Sequence, residues 1–155
     1  MWFSRVLLCS GLAVGSLSMW DTLSHAWDPA FQAPALPLGP THTNYHAFRE
    51  FALSVGAAAV MLYVILLPAA RRSRPLWIVM AATAACYYGG WWLPGPLLGL
   101  SAPNRVATVI HLAATVASLA GVALAWRHYR GGANRVRAVT HRSSVLDWPR
   151  SSSEG

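Results

Sequence analysis

The run "VATVIHLAATVASLAGVALAW", residues 106–126, contains no Asp, Glu, Lys or Arg and is closed at its two ends by Arg105 and Arg127. Its 21 residues rise about 32 Å as an α-helix, which matches the hydrocarbon core of a bilayer. Three more apolar runs, at 2–20, 51–70 and 76–93, have similar length. Lipid offers no hydrogen-bond partner to a backbone, so such runs must satisfy their own N–H and C=O groups, and they do so as helices. The sequence therefore predicts an all-α integral membrane bundle of four transmembrane helices spanning residues 1–130, with a long loop at 21–46.

Composition agrees. The chain of 155 residues is 55% hydrophobic and 11% charged, against roughly 25% charged in soluble domains. Its net charge of +7 comes entirely from arginines, which cluster in "RRSR" (71–74) and from Arg127 onward. Basic groups beside apolar spans mark membrane orientation rather than nucleic-acid binding. With Arg5, they predict both termini in the cytoplasm, the 21–46 and 94–104 loops outside, and a multi-pass protein of the plasma (inner) membrane. Trp20, Trp91 and Trp92 then fall at the outer boundary, and Trp2, Trp77 and Trp126 at the inner one, as an aromatic belt.

Small residues at Gly11, Gly15, Gly56, Ala113, Ala114, Ala117 and Gly121 favour close helix packing. Residues 131–155, rich in Arg and Ser, have too little apolar surface to fold and are expected to be a disordered cytoplasmic tail. Cys9 and Cys86 form no C-x-x-C pair and read as small apolar-segment residues. An alternative reading of the N-terminus is a signal peptide cleaved after Ala26. Cleavage would leave three spans and remove Asp21 and His25.

The polar chemistry concentrates at one end. Asp21 and His25 are four apart beyond the first span, and His42, His46 and Glu50 form an H-x-x-x-H-x-x-x-E series leading into the second. On a helix each set lies along one face. Pro40 suits a helix start and Thr41 an N-cap. His111 lies near the start of the fourth span, at the depth of Glu50, and an ionisable group inside a span is a functional-site hypothesis by default. Together Asp21, His25, His42, His46, Glu50 and His111 are the candidate metal ligands. Imidazole with carboxylate suits copper, zinc or iron. Haem between His46 and His111 ranks lower, because no second pair exists at the inner side. The competing reading is structural, with Glu50 paired to Arg49 or Arg105 and His111 hydrogen-bonded to a hydroxyl across the bundle.

"WDTLSHAW…LGPTHTNYH" resembles the copper-site segment in the C subunit of the particulate methane and ammonia monooxygenases, in which an Asp, a His three residues further on and a second His after about a dozen more follow a Trp-Asp and precede a Ser-Pro-x-His-like turn, whose place "GPTH" takes here. The resemblance covers residues 20–42 and implies that Asp21, His25 and His42 bind the metal. The chain departs from the family in the 16 residues between His25 and His42, in the additional His46, and in its four expected spans, where that subunit has more.

Two functions follow as expectations. One is a small membrane protein with a transition-metal site at the outer face of its bundle. The other is a non-catalytic membrane subunit or assembly factor, with a membrane-protein partner or a second copy packed against its spans. No G-x-S-x-G, H-E-x-x-H or phosphate-cradling glycine loop is present.

Overall fold

The computed structural model describes residues 1–28, 42–99, 102 and 104–130. The expected tail at 131–155 and the middle of the first loop lie outside the described residues. Four long helices are present: α1 (Trp2–Ser24), α2 (His42–Leu66), α3 (Arg74–Trp92) and α5 (Arg105–Tyr129), with a one-turn helix α4 (Pro94–Leu98) between the last two. No strand occurs among the described residues. The all-α expectation therefore holds, and α1, α2 and α5 are each long and apolar enough to cross a membrane. Helix α3, of 19 residues, is not among those three; it starts with Arg74 and Pro75 and carries Trp77, Tyr87, Tyr88, Trp91 and Trp92.

The helix boundaries differ from the apolar runs for local reasons. Helix α2 starts at His42 rather than 51, so the H-x-x-x-H-x-x-x-E series is helical throughout. It ends at Leu66 rather than 70, because Pro68 disfavours helix at Leu67; the chain then makes a 3-10 turn, Ala69–Arg71, before α3. Helix α1 runs on to Ser24, so Asp21 belongs to the helix and His25 is its C-cap. The loop expected at 21–46 is thus bounded more narrowly, by Ser24 and His42. In the short connection after α3, Gly99 takes a left-handed φ of 69°, which closes α4 and which a side chain would disfavour.

The four long helices form a ring in which α1 neighbours α2 and α5, and α3 neighbours the same two. The most extensive packing is between α1 and α5, the first and last described helices. Glycine makes it close: a Cβ on Gly121 would stand 2.6 Å from the Leu8 backbone nitrogen, and one on Gly11 would stand 2.7 Å from that of Ser118. The small residues are therefore used within the chain, backbone against backbone. At mid-height Tyr88 and Ser118 share a buried hydroxyl–hydroxyl bond of 2.6 Å. Leu8, Met61, Ile65 and Met80 fill the core around it.

At the end that holds Met1, polar side chains lock the helices. The Arg5 guanidinium of α1 donates to the carbonyls of Ile65, Leu66 and Leu67, at 3.1, 3.0 and 3.1 Å. Those of Ile65 and Leu66 belong to the last turn of α2, which leaves them without intrahelical donors, and that of Leu67 lies just beyond it. Tyr129 donates to the Val64 carbonyl, and the Trp77 indole donates to that of Val122 at 2.9 Å.

Candidate functional site

At the opposite end, which we call the loop end, the last turns of α1 and α3 meet the first turns of α2 and α5. Four residues of α1, namely Ser18, Asp21, Thr22 and the C-capping His25, follow i, i+3, i+4, i+7 spacing and so share one face. That face borders a cavity of about 470 Å³, whose other walls include Glu50 of α2, Trp91 of α3, and Asn104 and His111 of α5. Four of the six candidate ligands, Asp21, His25, Glu50 and His111, therefore line one cavity.

Their geometry divides them. His25 Nε2 lies 4.0 Å from an Asp21 carboxylate oxygen, and its Nδ1 lies 3.9 Å from one of Asp28, so each ring nitrogen faces a carboxylate. His111 is engaged otherwise: its Nε2 is 2.9 Å from the Ser18 hydroxyl, and its ring stacks on Trp91 at 4.2 Å between centroids. This is the hydroxyl partner that the structural reading of His111 anticipates. His46 is exposed on α2, edge-on to the Tyr45 ring at 5.5 Å. It does not line the cavity that His111 borders, so the structure does not bring the haem pair together. The His42 side chain lies outside the described residues.

Asn44 joins the two polar segments. Asn44 is buried, and its side-chain amide donates to the His25 carbonyl at 2.8 Å and to that of Asp28 at 3.2 Å. The start of α2 is thereby held against the end of α1. Asn104 acts similarly for α5: its carboxamide oxygen accepts from the Ala107 N–H at 2.8 Å as an N-cap while its side chain borders the cavity.

The donor set can be tested for fit. Two ligands on a tetrahedral ion with bonds of about 2.1 Å stand roughly 3.4 Å apart. The 4.0 Å between Asp21 and His25 needs only a small side-chain adjustment to meet that spacing. Among the described residues, however, no three of His, Cys, Asp and Glu are close enough together to hold a metal ion. The pair thus fits a metal's chemistry as two ligands and needs a third from elsewhere.

Several residues of the site escape the sequence reading. Ser18 and Thr22 were legible as part of the i, i+3, i+4, i+7 stripe. Asn104 carries the signature of a residue before a helix. Asp28 and Trp91 carry no comparable signal; Trp91, expected in the outer aromatic belt, instead turns inward onto His111. Comparison with family models, curated proteins and solved structures returns no match for this chain.

Proposed function

We propose that the chain is a four-span protein of the plasma (inner) membrane, with both termini in the cytoplasm, that binds a transition metal at the outer end of its bundle. Copper or zinc suits the ligands best, with iron as a third candidate. Asp21, His25 and His42 are the ligands of choice; His46 is exposed on α2 and does not line the cavity. Glu50 and His111 sit behind and orient the polar cavity rather than bind first.

The observation that carries this reading is the Asp21–His25 pair at a cavity of mixed polar and apolar lining. The Asn44 bridge adds support, because it holds the segment that starts with His42 against the same helix end. The four-span count rests on topology. Helices α2 and α5 both begin at the loop end, since Glu50 and His111 border one cavity. The chain must return between them, and α3, whose 19 residues rise about 28 Å, makes that return. The arginines at Arg71, Arg72 and Arg74 then share a side with Arg127 and Arg130, as the positive-inside rule requires.

The test is elemental analysis of detergent-purified, uncleaved protein beside a His25→Ala, His42→Ala double variant. About one copper, zinc or iron per chain, lost in a variant that keeps its helical content, is the expected result. No metal in either, after reconstitution with each ion, overturns the proposal and leaves a non-catalytic membrane subunit as the better reading.

A further inference from the structure

A second opening lies beside the polar cavity. Between α2 and α3, in the half of the bundle nearer the loop end, a groove of about 690 Å³ is bounded by Glu50, Ser54 and Ala57 on one side and by Thr83, Tyr87 and Trp91 on the other. Its volume is that of a small-molecule site. On α2 these residues recur at i, i+4, i+7, so the groove follows one helix face for roughly 10 Å. Glu50 and Trp91 border both openings and form the wall between them.

The lining is mixed in a specific way. Leu53, Ala57, Ala82 and Cys86 present apolar surface, as an acyl chain of the bilayer would require. An acyl chain alone, however, leaves the polar members unanswered. The Tyr87 hydroxyl is shielded from solvent with Ser54 and Glu50 as polar neighbours, and its contact with Ser54 does not reach full hydrogen-bond geometry. Buried polar groups are almost always paired, and more strictly so at membrane depth. Glu50 adds a carboxylate eight residues beyond the start of α2. A carboxylate only accepts hydrogen bonds when ionised, whereas a phenol and a serine hydroxyl both donate and accept.

From this juxtaposition we infer that the α2–α3 groove binds a single-chain amphiphile whose head group donates hydrogen bonds, a hydroxyl or an ammonium, and which enters sideways from the lipid. The head sits between Glu50, Ser54 and Tyr87, and the tail lies along Ala57, Ala82 and Cys86. A carboxylate head is disfavoured by Glu50. The groove shares Glu50 with the cavity of the proposed metal site but is lined by none of Asp21, His25 and His42, and it does not depend on a bound metal.

The test is photocrosslinking of the full chain in lipid nanodiscs with a dodecanol analogue carrying a diazirine in its tail, mapped by mass spectrometry. Crosslinks on residues 50–57 and 82–91 are expected to be competed saturably by dodecanol or dodecylamine, and at least tenfold less well by dodecanoate. Whichever of the first two competes better tells a neutral head group from a cationic one. Crosslinks on the exposed α5 residues Val109, Leu112 and Val116, which report ordinary lipid contact, are expected to resist competition. Glu50→Gln should narrow the gap between dodecanol and dodecanoate. Ala57→Phe, which fills the groove, should remove the α2–α3 crosslinks while leaving those on α5. Equal competition by all three compounds, or crosslinks on α5 that compete as those in the groove do, would overturn the inference.

Discussion

The glycine at 121 offers the sharpest test of how the bundle is held. In Gly121→Ala the new Cβ would stand 2.6 Å from the Leu8 nitrogen, 2.8 Å from the Ser4 carbonyl oxygen and 3.0 Å from the Leu8 Cβ. Ordinary contact begins at 3.4 Å, so α1 and α5 must separate locally by about 0.8 Å. Two of the three obstructing atoms are backbone, which no rotamer change relieves. A gap of that size forfeits a quarter to a half of the dispersion energy of each contact it opens. Overpacking of this kind costs about 1–3 kcal/mol. Against it stands a gain of up to about 1 kcal/mol from replacing a helical glycine by alanine. The net expectation is a loss of about 1–2 kcal/mol. Gly56→Ala supplies the reference, because its Cβ meets nothing within 4 Å and should keep the helical gain. Thermal unfolding of the two variants in one detergent, followed by circular dichroism, measures the difference. Gly121→Ala unfolding at or above the temperature of Gly56→Ala would refute the backbone contact between α1 and α5. Gly11 closes the same interface against Ser118, so the Gly11→Ala, Gly121→Ala double variant should lose less than the sum of the two singles.

Two further outcomes follow from the polar contacts. Arg5→Gln abandons most of the three-carbonyl cap on α2 and should cost about 2 kcal/mol; Arg5→Lys should recover less than half, since an ammonium lacks the planar fork, and unfolding temperatures rank the three proteins. Tyr88→Phe and Ser118→Ala each leave one buried hydroxyl without its partner and should each cost about 1–2 kcal/mol, whereas the double variant should be nearly as stable as the parent, a coupling that a double-mutant cycle reads directly.

The helices were legible wherever apolar length decided them, as in residues 106–126, and less so where a single residue intervened. Pro68 shortened α2 below its hydrophobic run, a local rule that could be applied to sequence alone. The Asp21/His25 pairing followed from i, i+4 spacing on a helix that continued past Trp20. What could not be read was lateral. Which face of α3 meets α2, and hence that Tyr87 and Glu50 share a groove, depends on the ring order of four helices. The inward turn of Trp91 depends likewise on where His111 sits in three dimensions. The arginine at position 5 read only as a topogenic charge, because the carbonyls it caps are 60 to 62 residues away.

The tight seam between α1 and α5 has a consequence for how the protein is made. Leu8 and Gly121 are separated by 113 positions, and everything between them must leave the ribosome before they touch. Until then α1 lacks its principal neighbour, and Ser4 and Ser118, buried in the finished bundle, are left uncovered. Closure of the ring therefore waits on the synthesis of α5. A chain that stops short of α5 leaves α1 without its most extensive contact and the ring of helices open on one side.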